Sequence, residues 1–151
     1  MPRVAIALGS NLGDRRRFLD EAAAALAAVV DDLHLSTFHE TDPVGVGEQP
    51  RFLNAAAIGR TSLEPGDLLT VMLEIEGTLG RERPHAGAPR TVDLDLILYG
   101  DVVMREPGIE VPHPRFRDRG FVLEPLAEIA ADWVDPVSGR SIRELLQALQ
   151  A

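Results

Sequence analysis

Asp93 and Asp95 stand one residue apart inside the apolar run Val-Asp-Leu-Asp-Leu-Ile-Leu-Tyr over residues 92–99. Side chains alternate along a strand, so positions i and i+2 share a face and both carboxylates point the same way. Two like charges on one face of a core strand are costly unless a cation lies between them. A hard divalent cation such as Mg²⁺ answers that need, because it takes carboxylate and phosphate oxygens. Arg90, just upstream, points to a metal that arrives with an anion. The plainer alternative is a salt-bridged pair of aspartates on an edge strand.

The cations near this pair carry the same argument. The chain has no lysine, and seven of its 15 arginines fall between Arg81 and Arg119. Arg81, Arg83 and Arg90 bracket the stretch 81–89, which is either a solvated charged turn or a phosphate grip. Arg115, Arg117 and Arg119 follow His113 at alternating spacing, and surface ion pairs with Asp118 and Glu124 would account for some of them. Phe52 and Asn54 share a strand face, which suits a flat heterocycle that needs stacking and edge hydrogen bonds. They suit equally well an edge-of-core ring and a turn-forming amide. Gly9-Ser10-Asn11 alone reads as a strand-to-helix turn.

These residues need a scaffold, and the sequence outlines one. At 151 residues the chain is expected to form one domain over 1–151 with a single core. No apolar run is long enough to span a bilayer, and the first residues lack the layout of a signal peptide. Without cysteine there is no thiolate chemistry, and the expected location is the cytoplasm. The absence of lysine removes Schiff-base and Walker-A chemistry. A net charge of −9 with 5% aromatic residues argues against nucleic acid as a partner, and a membrane partner is not expected either.

The pattern predicts strands at 4–8, 33–40, 52–59 and 92–99. It predicts helices from Asp14 to about Asp32, from Ser62 as cap through Pro65 to about Gly80, near 122–130, and from Ser141 to about Leu149. Leu94, Leu96 and Leu98 would pack under the helices, leaving the carboxylates on the open face. The order β-α-β-β-α-β predicts an α+β, ferredoxin-like βαββαβ antiparallel sheet with helices on one face, followed by a C-terminal extension. That fold hosts enzymes, metabolite-binding regulatory domains and RNA-binding modules, so it decides no function by itself.

Four segments together closely resemble the 6-hydroxymethyl-7,8-dihydropterin pyrophosphokinase family. They are Ala7-Leu-Gly-Ser-Asn-Leu-Gly13, Phe52-Leu-Asn-Ala-Ala56, Pro89-Arg-Thr-Val-Asp-Leu-Asp-Leu96, and Val111-Pro-His-Pro followed by Arg119-Gly-Phe121. The resemblance runs over essentially the whole chain, and the third segment is the most specific. It implies an ATP- and Mg-dependent diphosphotransferase of folate biosynthesis, which moves the pyrophosphoryl group of ATP to the pterin hydroxymethyl oxygen and releases AMP. It implies a pair of Mg²⁺ ions on Asp93 and Asp95, with Arg81 and Arg90 steadying the triphosphate. The pterin would meet Phe52, Phe121 and Asn54, with backbone groups of Thr41, Asp42 and Val44 at its other edge. Glu76, Arg83, His113 and Arg119 would serve ATP, and a monomer is expected.

The chain also departs from that family. Many members carry a tryptophan and further basic residues before Pro-Arg-Thr, where this chain has Pro84-His-Ala-Gly-Ala88, and its single tryptophan is Trp133. Phe52 stands where a tyrosine can occur, and Pro114 where some members have an aromatic residue.

Overall fold

The computed structural model describes residues 1–41, 51–80 and 92–151. Strand β1 (Arg3–Ser10) is the hub: it pairs antiparallel with β4 (Phe52–Arg60) on one side and β5 (Asp93–Tyr99) on the other. Strand β2 (Asp31–Leu35) lies outside β4, giving the order β2-β4-β1-β5, and β3 (His39–Thr41) pairs with the start of β4. The single strand expected over 33–40 is therefore two. Ser36 breaks it: its N–H donates to the Ala56 carbonyl at 2.8 Å, and its hydroxyl accepts the Ala56 N–H at 2.9 Å in place of a backbone carbonyl.

Helix α1 (Arg15–Leu26) starts at Asp14, whose carboxylate accepts the Arg17 N–H at 3.2 Å, satisfying one of the donors a helix start leaves free. It ends six residues before the expected Asp32. The chain must turn into β2 there; Val30 plugs into the core, and Asp32 takes a positive φ of 54°. Helix α2 (Pro65–Leu79) begins with Pro65, whose fixed φ suits a first turn. Ser62 does not cap it. Thr61 organises the entry instead, accepting the Leu63 N–H at 3.1 Å and donating to the Val29 carbonyl at 2.8 Å.

Helices α1 and α2 cover one face of the sheet. Phe18, Leu19, Leu26, Leu68, Met72 and Ile75 bury against Val4, Ile6, Leu8, Leu94 and Leu96, and each such side chain contributes about 1.5–3 kcal/mol on burial. The other face is not open. A 3₁₀ turn (Phe116–Asp118), α3 (Gly120–Ala130) and α4 (Ile142–Gln150) pack over Ala5, Ala7 and Ala56. Helix α4 carries a capping box: the Ser141 hydroxyl takes the Glu144 N–H at 3.1 Å, and the Glu144 carboxylate takes the Ser141 N–H at 3.0 Å. A short hairpin, β6 (Met104–Glu106) with β7 (Ile109–Val111), was not anticipated from the pattern.

Leu98 lies on the face opposite to the one expected. The β1–β5 register shifts between Ala5 and Ile6, so Ala5 pairs with Leu98 while Ile6 pairs with Leu96. The extra residue turns Leu98 toward α3 beside Ile97, whereas Leu94 and Leu96 stay under α1 and α2.

Candidate active site

The alternation along β1 prepares a floor. Cross-strand partners share a face, and the register aligns His39, Asn54, Gly9 and Asp93 in one row. The next row on that face is Ala56, Ala7 and Asp95. Small residues occupy the middle, an amide stands on one flank and two half-buried carboxylates on the other. Arg115, Arg119 and Phe121, from the chain entering α3, close the space above as a cavity of about 650 Å³.

Asn54 is held in that floor. It is 5% exposed, and its Nδ2 donates to Thr41 Oγ1 at 2.8 Å. A Cβ at position 9 would come within 3.2 Å of Asn54 Oδ1 and 4.0 Å of the Phe52 ring. A side chain there would make the amide give by a few tenths of an ångström, so glycine favours its lean over β1 beside Phe52. Phe121 stands across the cavity in the first turn of α3, with the Arg119 guanidinium 5.6 Å from its ring centre.

Asp95 also lines a second, smaller cavity of about 350 Å³, walled by Leu69, Leu96, Ile109, Glu110 and His113. His113 Nε2 faces Asp95 Oδ1 at 4.0 Å, and its Nδ1 accepts the Arg115 N–H at 3.1 Å. Burial holds the imidazole below its ordinary pKa; Arg119 and Arg115 push the same way, against Asp95 and Glu110. The ring is thus neutral near pH 7, and the Nδ1 bond assigns its proton to Nε2, aimed toward Asp95 and the junction of the cavities.

The arginine triplet divides. Arg115 and Arg119 line the larger cavity. Arg117 turns the other way and makes a bidentate pair with the fully buried Asp135, at 2.6 and 2.9 Å. It does not pair at the surface with Asp118 or Glu124. Burial opposes ionisation of Asp135, yet Arg117, the Ser138 hydroxyl and the Val137 N–H outweigh it and pull its pKa down to about 2.

Among the described residues no group of three or more His, Asp or Glu side chains could hold a metal alone. That suits Mg²⁺, which retains waters and binds through one or two carboxylates together with substrate phosphates. Asp93 and Asp95 are hard oxygen donors on one face of a cavity that also presents guanidinium groups, so the donor set fits the ion.

The family model described as 7,8-dihydro-6-hydroxymethylpterin-pyrophosphokinase matches residues 5–131. The chain belongs to this family. A pyrophosphokinase of Bacillus subtilis named for 2-amino-4-hydroxy-6-hydroxymethyldihydropteridine is 48% identical over 126 residues, covering 82% of this chain and 75% of the relative. The Pseudomonas aeruginosa protein of the same name is 40% identical over 148 residues, covering 97% and 91%. A Plasmodium falciparum HPPK-DHPS crystal structure superposes with a TM-score of 0.78 over 97% of this chain and 44% of that one, at 15% identity. This last likeness speaks for the fold alone.

Of the residues singled out in the sequence of this pyrophosphokinase-family chain, Asn54, Asp93, Asp95, Arg119 and Phe121 line the larger cavity, Thr41 and Phe52 adjoin Asn54, and His113 lines the smaller one. Glu76 lines neither. Its carboxylate accepts the Leu94 N–H at 2.7 Å, on the α2 side of β5. Asp42, Val44, Arg81, Arg83 and Arg90 lie outside the described residues. Sequence reasoning missed Arg115 as a cavity residue and Ala7 and Gly9 as the floor. The small residues at every second position of β1 were the available signal for the floor.

Proposed function

We propose that the larger cavity takes the pterin and the smaller one the nucleoside of ATP, with the polyphosphate laid past Asp95 between them. The activity is the family's: transfer of the pyrophosphoryl group of ATP to 6-hydroxymethyl-7,8-dihydropterin in folate biosynthesis. The observation that carries the two-cavity reading is that Asp95 lines both spaces.

Phosphoryl-type transfer asks for in-line positioning and charge neutralisation more than covalent help from the protein. Phe121 and Phe52 stack the ring, and Asn54, oriented by Thr41, reads its edge. Arg115 and Arg119 draw the phosphates toward the carboxylates. His113 offers a neutral Nε2–H donor at the junction, which binds phosphate oxygen without adding a charge that would compete for Asp95. Asp93 and Asp95 would hold two Mg²⁺ ions, whose charge would offset that of the phosphates. Glu76 acts as an anchor of β5. The strand order supports a ferredoxin-like βαββαβ core closed by a C-terminal layer. A single domain over 1–151, monomeric and cytoplasmic, completes the reading.

The test is product identity. With ATP, Mg²⁺ and the reduced hydroxymethylpterin, attack at the β-phosphorus gives AMP and the pterin diphosphate in equal amounts. Formation of ADP instead would overturn the proposed placement of the polyphosphate.

A further inference from the structure

One carboxylate outside the cavity is tied to three groups at once. Glu128 lies on α3, seven residues beyond Phe121 and therefore on the same helix face, about two turns along. Its Oε2 accepts the Thr37 N–H at 3.1 Å, its Oε1 accepts the Thr37 hydroxyl at 2.6 Å, and the same Oε1 meets His39 Nε2. His39 stands directly across from Asn54 in the β3–β4 register, and Thr41, two residues on, accepts the Asn54 amide. The connection from Ser36 to β3 has surrendered part of its ladder, since the Ser36 hydroxyl substitutes for a backbone carbonyl. Helix α3 does not need Glu128 for docking, because Val122, Leu123, Leu126 and Ala130 bury against the sheet. Strand β3 is more lightly anchored: His39, Glu40 and Thr41 are all polar and none is buried, leaving its pairing with β4 and the partly buried Phe38 just before it.

We propose that Glu128 is a positioning residue for the pterin, tying to the Phe121 helix the short strand whose Thr41 orients the Asn54 amide. The proposal rests on the reading of the larger cavity as the pterin site. Partial burial works against the Glu128 anion, yet the bonds from Thr37 and His39 outweigh it and hold its carboxyl below the ordinary value. The brace is therefore an anion at neutral pH and accepts from each partner. Hydrogen bonds to a charged acceptor are among the stronger polar contacts. Without them β3 loses its side-chain tie to α3, and Thr41, the acceptor that orients the Asn54 amide, loses that support.

The experiment compares wild type with Glu128→Ala, Glu128→Gln and Thr37→Val, using steady-state kinetics for both substrates. It adds pterin titration by fluorescence in the presence of a non-hydrolysable ATP analogue. Glu128→Ala is expected to raise the pterin KM and Kd by about fivefold to tenfold, with kcat and the ATP KM within about twofold of wild type. Glu128→Gln keeps an acceptor oxygen and recovers most of the loss, and Thr37→Val shows an intermediate effect. An unchanged pterin Kd in Glu128→Ala overturns the proposal, as does an equal loss for both substrates. Should Glu128→Ala not fold, an unchanged pterin Kd in Thr37→Val overturns it. A wild-type protein that fails to bind the pterin would instead sink the cavity reading, so the two failures are distinguishable.

Discussion

The two faces of β1 are built from opposite choices of size. Val4, Ile6 and Leu8 point to α1 and α2 and meet a filled core, whereas Ala5, Ala7 and Gly9 point to α3 and leave room. Moving along that second face, the packing against α3 gives way to the cavity as Ala5 gives way to Ala7 and Gly9. A single strand thus supplies a packed core on one side and a cavity floor on the other, and strand periodicity alone keeps the two apart. Substitutions on the two faces should separate folding from activity.

The largest effect belongs to the cavity face. Asp95→Ala should lower kcat by at least about a hundredfold, the scale of losing one preorganised charge-stabilising group, while the melting temperature stays near wild type; Asp93→Ala should behave alike. Near-normal turnover in either variant would contradict the metal assignment. On the opposite face, Ile6→Ala should cost about 2–5 kcal/mol of stability in chemical denaturation. Its turnover per folded molecule should stay unchanged; a selective loss of kcat would blur the division between faces.

The cap over the small-residue face carries a buried anion, and that gives it a pH signature. Asp135 ionises in the folded state at about 2, against about 3.9 in an unfolded chain. A depressed folded pKa contributes stability above the unfolded value and loses it as pH falls from about 4 to about 2, on the order of 2 kcal/mol in all. Urea unfolding at stepped pH should show that decline, and Asp135→Asn, although less stable at pH 5, should show a shallower one. The smallest effect is at Gly9→Ala. Its new methyl group would press on Asn54 Oδ1, raising the pterin KM by roughly tenfold, about 1.4 kcal/mol, with little change in melting temperature. An unaltered KM would mean that the amide's lean over β1 has no part in binding.

What the sequence made legible was whatever depended on one element at a time. The shared face of Asp93 and Asp95 follows from strand alternation, the α1 start from Asp14, and the last helix from its periodic run after Ser141. What depended on a distant partner stayed hidden. The division between β2 and β3 requires the Ala56 N–H to donate to the Ser36 hydroxyl in place of a backbone carbonyl. The turn of Leu98 to the second face requires a bulge set by pairing with β1. The choice of Asp135 by Arg117 crosses 18 residues and requires the hairpin-like approach of residues 134–141. Part of the cavity lining was readable for the same reason as the helices: Asn54, Asp93 and Asp95 sit on strands, where spacing states direction. Arg115 was missed as a cavity residue because it sits in an irregular turn, where spacing states nothing.

Among the described residues β5 ends the sheet, and its outer rim is partly occupied, since the Ile97 carbonyl accepts the His113 N–H at 3.0 Å. Glu76 occupies the Leu94 N–H on that rim. A carboxylate there fills the donor and repels an incoming carbonyl oxygen, so an added strand could not form a regular ladder past this point. Its placement discourages edge-to-edge aggregation on the strand that carries both carboxylates of the larger cavity.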